Sequence, residues 1–245
     1  MNSNIRESIN KARATYYGFF AKIFAFVDKP DRFEGVKETL EILSEYPLDD
    51  ESERAFLRLK TKLSDNYKKL EDEYELLFFD PSISIRTTAS YYIEGFESGQ
   101  PRVKMIDYLK RAGFKKDEEF YFDNEDDMGF IFNFMSILLY SKKIEFQKLQ
   151  REIFENILNK CIDGFIESLI APEQSDIFKD IAIVLNSFIS FERVYLDISR
   201  PKATQKILKA RVIPYDNLKH KGKGRASNVS CNISPVEEEE TVEEV

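Results

Sequence analysis

Apolar side chains return every third or fourth residue from the start of the chain. Ile5, Ile9, Tyr16, Phe19, Phe20, Ile23, Phe24 and Val27 mark one helical face, and Lys29-Pro30 closes it. Asp31 opens a second helix carrying Val36, Leu40 and Leu43, which stops at Tyr46-Pro47. An acidic turn, Asp49 to Glu53, suits the start of the next helix. From there Phe56, Leu59, Leu63, Tyr67, Leu70, Tyr74 and Leu77 fall on one stripe.

Regularity breaks between residues 80 and 101, where Pro81, Gly95, Gly99 and Pro101 bracket small polar and β-branched residues. A long irregular loop is predicted there, of the kind that is usually functional or mobile. "RVKMIDYLKRAGF" resumes the helical period and Gly113 stops it. A polar connection then leads into "NEDDMGFIFNFMSILL", where acids stand directly against an almost wholly apolar run. Two amphipathic helices follow, Ile144 to Ile170 and Ser175 to about Ser199. A short basic helix is expected after Pro201. From 216 the chain turns polar, then basic, then acidic, and is predicted to be disordered. No repeat is found, so a solenoid is disfavoured. The pattern therefore predicts an all-α, single-domain bundle of about nine to eleven helices over residues 1–215, followed by a tail over 216–245.

Composition supports this reading. The chain has 21 Phe and 12 Tyr but no Trp, with only nine Gly and eight Pro, which favours long elements and short connections. The net charge is -8. The six glutamates of the tail are largely offset by Lys219, Lys221, Lys223 and Arg225 just before them, so the body is itself acidic. An acidic body argues against a nucleic-acid partner, which needs a positive surface, and is compatible with a basic peptide. One His (His220) and two Cys (Cys161, Cys231) leave no material for a His-ligated metal, a Ser-His-Asp triad or a disulfide framework. The first residues lack a clean export signal. The apolar run Met128 to Tyr140 is 13 residues long against the roughly 20 needed to cross a bilayer. A cytoplasmic protein without stable membrane insertion is expected.

The acids at the head of the apolar run have two readings. Asp123 or Asn124 can cap the helix, with Glu125, Asp126 and Asp127 in its first turn, where the helix dipole favours negative charge. Alternatively they face a ligand that is cationic and apolar. Asn133 and Ser136, three apart on an otherwise greasy helix, need buried partners. "KGKGR" lacks the spacing of a phosphate loop. Pairs such as Glu118-Glu119 have no nucleophile or metal beside them. No enzyme, cofactor or metal site emerges.

Several segments in order resemble the TorD/DmsD/NarJ-type chaperones of molybdoenzymes. "RATYYGFFAKIF" is similar to the family's Arg-x-x-x-Tyr helix, "YELLFFDP" to its Tyr-x-x-Leu-Phe and Pro-containing loop, and "TASYYIEGFESGQ" to its Glu-Ser-x-Tyr segment. "YLKRAGF" is similar to its Tyr-x-x-x-Gly-Phe. "NEDDMGFIFNFMSIL" aligns with its Glu-Pro-Asp-His loop and the helix after it. The likeness spans about residues 10 to 200. Here Asn124, Glu125, Asp126 and Asp127 replace Glu, Pro, Asp and His, so only Asp126 is retained; Ala89 and Ile131 each replace a Glu. The resemblance implies a TorD-like chaperone that binds the twin-arginine signal peptide or the apo catalytic subunit of a molybdenum or tungsten enzyme before export. It implies Asp126 and Asp127 as the charge, with Tyr74, Leu77, Phe78, Ser90, Tyr91 and Tyr92 forming the surface beside them. It also implies a monomer or a dimer that exchanges helical segments, hinged at 80–101 and 114–124. The alternative is a helical scaffold or assembly subunit that binds a folded partner without signal-peptide recognition.

Overall fold

The computed structural model describes residues 3–25, 32–64, 67–117, 123–141 and 143–202. The expected basic helix after Pro201 and the tail from 216 lie outside these residues. Among the described residues there are ten α-helical segments and no strand.

The centre is built by α1 (Ser3–Phe24) lying along α7 (Met128–Tyr140). The apolar run is buried over most of α7, while Ile137 and Tyr140 are exposed on one face beside the half-buried Asn133. Tyr17, Phe20 and Phe24 of α1 meet Phe132, and Phe24 packs edge-on against Phe165 at 5.0 Å between ring centroids. The polar interruption Ser136 donates to the Ala14 carbonyl at 2.9 Å, which removes the cost of burying its hydroxyl. Gly129 lets the start of α7 touch the end of α1. A Cβ there would stand 2.7 Å from the Phe24 carbonyl carbon and closer still to the Ala25 backbone.

Around this pair run α2 (Val36–Ser44), α3 (Asp50–Lys62) and α4 (Lys68–Phe78). The stripe from Phe56 to Leu77 is thus divided between two helices. Ser64, just past the end of α3, is of a type whose side chain competes with helical backbone bonds. Asp49 and Ser52 form a reciprocal capping box on α3. α3 packs along α10 (Ile177–Leu196), whose buried Asp180 takes Arg58 and Lys62 at 2.6 and 2.7 Å. Glu73 of α4 accepts from the amides of Asp176, Ile177 and Phe178 at 2.8 to 2.9 Å, so a carboxylate from another helix caps α10.

The irregular stretch contains one short helix, α5 (Ala89–Glu94), before α6 (Gln100–Ala112), which ends at Gly113 as expected. The helix predicted from Ile144 to Ile170 runs as α8 (Ile144–Ile153) and α9 (Asn159–Ile170), joined by a π-helical turn over Phe154–Leu158. Phe154, Ile157 and Leu158 stay buried through that turn. A buried ion pair ties the first helix to the last: the Arg13 guanidinium gives two bonds to Glu192, at 2.5 and 2.9 Å, and Tyr17 adds its hydroxyl at 2.8 Å.

Candidate functional site

The loop before α5 and the turn before α7 are latched to each other. The Ala89 amide donates to the Asp126 carbonyl and the Met128 amide to the Thr87 carbonyl, both at 2.8 Å. This is an isolated antiparallel bridge between Thr88 and Asp127. The latch decides which way each acid of the NEDD stretch points.

Asp126 points inward. It is buried completely, and its Oδ2 accepts from the Ser90 amide at 2.9 Å and from the Ser90 hydroxyl. Ser90 in turn accepts from the Gly99 amide at 2.9 Å. These bonds hold both ends of the 89–99 segment, so Asp126 and Ser90 organise the loop from behind. Asp127, not Asp123 or Asn124, is the cap of α7. Its Oδ1 accepts from the amides of Gly129 at 2.8 Å and Phe130 at 3.4 Å. Burial and the nearby Asp123 carboxylate push its carboxyl up to about 8, against the pull of Thr87 and the two amides. Glu125 is held by Arg102 at 2.7 Å and lies 3.8 Å from Lys116.

A cavity of about 450 Å³ opens at this latch. Phe24, Tyr74, Phe78 and Phe79 line it together with the acidic residues Asp123, Asp127 and Glu97. Arg86, Thr87 and Thr88 line the rest of the rim with Ser84 and Ile85. The Tyr74 ring already stacks one guanidinium of the protein itself, that of Arg32, at 3.8 Å from the ring centroid.

Of the residues implied by resemblance, Tyr74, Phe78 and Asp127 line this cavity. Leu77, Ser90 and Asp126 are sealed behind it, each with no exposed surface. Asp126 therefore does not present its carboxylate to a ligand as expected, because two Ser90 donors and the protein interior enclose it. Tyr92 is also buried; its hydroxyl donates to the Arg86 carbonyl at 2.7 Å and its ring covers Gly164. Tyr91 packs edge-on against Tyr92 at 5.3 Å, off the cavity. Sequence reasoning missed Phe24, Phe79, Arg86, Glu97 and Asp123 as lining residues. Asp123 adjoins the acidic run and Glu97 lies in the ESGQ turn, but neither position carries a local signal of direction. No cluster of three or more metal-ligating side chains occurs among the described residues.

Residues 45–167 match the model of the nitrate reductase delta subunit family, which is half of the chain. The chain belongs to this family. The nitrate reductase delta family comprises molybdoenzyme maturation chaperones, the NarJ-type among those it resembles. The matched residues include every lining residue of the cavity except Phe24. A search of curated proteins finds no match. Among the described residues, no helix is long and apolar enough to cross a membrane.

Proposed function

We propose that this member of the nitrate reductase delta family is a cytoplasmic, non-catalytic chaperone for a molybdenum- or tungsten-dependent oxidoreductase, and that it holds its client by a leader segment bearing arginines. The observation that carries this reading is the cavity, whose lining combines the acidic residues Asp123, Asp127 and Glu97 with the aromatics Tyr74, Phe78 and Phe79. A guanidinium needs in-plane acceptors and an apolar face, and this pairing offers both. The stacking of Arg32 on Tyr74 supports the compatibility of that lining with a second arginine. Asp126 and Ser90 serve the site by positioning, since they fix the loop that carries Thr88 and Glu97.

Calorimetric titration with a twin-arginine leader peptide tests the reading. Affinity is expected to fall with added salt and to fall at least about tenfold when Asp123 and Asp127 are both changed to Asn. A lysine-for-arginine peptide is expected to bind more weakly, because an ammonium does not fork onto a carboxylate. Unchanged affinity in the double variant would remove the cavity from the mechanism. Co-purification separates the alternative: a signal-bearing apo precursor supports the proposal, whereas a mature folded complex supports a scaffold.

A further inference from the structure

Tyr74 lines the candidate cavity, yet it is only 3% exposed, so its ring is already covered. Phe33, Phe78, Phe79 and Phe178 stand around it at 4.6 to 6.2 Å between centroids. The Arg32 guanidinium lies closer, 3.8 Å from the ring centroid. Phe33, Phe78 and Phe178 belong to the buried core, whereas Arg32 is half-buried. Of these covers, Arg32 is the one that another guanidinium replaces like for like.

Arg32 stands where the parts of the site meet. Its Nη2 donates to the Ala25 carbonyl at 3.3 Å, just past the end of α1. The Tyr74 hydroxyl donates one residue earlier, to the carbonyl of the cavity-lining Phe24 at 3.4 Å. The start of α7, capped by Asp127, touches the backbone of the same two residues at Gly129. Burial pushes the Tyr74 hydroxyl up to about 12; Arg32 pulls it back, and the Asp127 and Asp123 carboxylates push it further. One phenol thus feels both the protein's own guanidinium and the acids of the cavity. A brace between α1 and α4 needs only the hydrogen bond to Ala25. A guanidinium stacked on a cavity-lining tyrosine beside two acids does what the proposed function asks of a leader arginine.

We infer that Arg32 is a resident occupant of the place over Tyr74 that a leader arginine takes, and that client binding displaces it. This rests on the client reading above and adds a regulation to the same site. The leader gains the stack only where Arg32 gives it up, so its apparent affinity is lowered by the fraction of molecules in which Arg32 holds the ring. A lysine leader, whose compact ammonium does not replace a planar group, leaves Arg32 in place. On release Arg32 refills the ring, so the client is exchanged rather than trapped.

Calorimetric titration of the full chain with a twin-arginine leader peptide and its twin-lysine counterpart tests this. Arg32→Ala is expected to bind the arginine leader about tenfold tighter than the parent, because the competitor is gone. The lysine leader is expected to bind parent and variant within about twofold. Arg32→Gln, which keeps a donor for the Ala25 carbonyl, is expected to behave likewise and serves if the alanine variant does not fold. In the parent, labelled with nitrogen-15 arginine, the Arg32 side-chain signal is shifted by the Tyr74 ring. It is expected to move to the position of a solvent-exposed arginine when the arginine leader binds, and to stay when the lysine leader binds. A gain shared by both peptides would mark mere loss of positive charge and overturn the inference. So would an arginine leader indifferent to both variants, or an Arg32 signal unmoved at saturation. Binding of neither peptide to any of the proteins would overturn the client reading, and this inference with it.

Discussion

Replacing Asp126 with Ala separates a carboxylate that builds the loop from one that meets a ligand. The variant removes two charge-assisted bonds to Ser90, from its amide at 2.9 Å and from its hydroxyl, in a place with no exposed surface. Bonds to a charged group contribute about 1.5–3 kcal/mol each, and a buried amide left without an acceptor costs about 1–3 kcal/mol. Against this, the variant no longer has to bury a carboxylate whose Oδ1 has no hydrogen-bond partner. The net loss is therefore expected at about 2–4 kcal/mol, a large part of a typical domain stability of about 5–15 kcal/mol. For a body of this size that lowers the melting point by roughly 5–15 °C. Urea titration and calorimetry measure the loss, and peptide titration well below the transition measures the effect on affinity. Asp126→Asn keeps an oxygen for both Ser90 donors and is expected to lose less stability. Its leader-peptide affinity is expected to stay within about twofold of the parent, because the residue does not line the cavity. A stable Asp126→Asn protein that no longer bound peptide would refute the reasoning and return Asp126 to the ligand surface.

The raised carboxyl of Asp127 predicts two pH effects of known sign. The folded protein keeps this proton up to about 8 whereas the unfolded chain releases it near the ordinary aspartate value of 3.8, so stability contributed by the group is full below that value and declines as pH rises between the two. Urea titrations of Asp127→Asn should show a flatter pH profile over that window. Binding of a guanidinium draws the proton off, so leader affinity should increase as pH rises towards about 8, with proton release visible as a buffer-dependent calorimetric enthalpy. Glu192→Ala leaves the 3%-exposed Arg13 without its counter-charge and should cost about 3–5 kcal/mol, while Arg13→Met with Glu192→Leu should cost far less. Thermal melts of the three variants decide this, and an equal loss in all three would refute it. Gly129→Ala drives a methyl into the Phe24 and Ala25 backbone and should cost at least about 3 kcal/mol or prevent folding. Gly113→Ala meets no neighbour and bears only its φ of +76°, so about 1 kcal/mol is expected.

Much of the architecture was legible without coordinates because helical faces are written at a fixed local period. The burial of most of α7, the stop at Gly113, the burial of Cys161 and the break around residues 80–101 all follow from spacing and turn chemistry. The division between α3 and α4 was hidden by a stripe that stays in phase across it, and the π turn by apolar residues that remain buried on both sides. A cavity forms where the loop and the turn named by the resemblance meet.

What the sequence alone determined is that acids precede an apolar helix and that the aromatics of α1 and α4 each fall on the apolar face of their own helix. It could not say that Asp126 turns inward and Asp127 caps, since neighbouring residues in a turn diverge according to backbone dihedrals that no periodicity encodes. That choice is made by Ser90, 36 residues away, through the bonds it gives to Asp126. The same is true of Glu73 on the amides that open α10, of Arg13 on Glu192, and of Glu97 beside the cavity. Each is an ordinary charged residue on a solvated-looking helix or turn until a distant segment packs against it. Local periodicity selects the helices and their buried faces; only tertiary packing assigns each polar group its partner, because hydrogen bonds and ion pairs form between whichever groups the folded chain brings within about 3 Å.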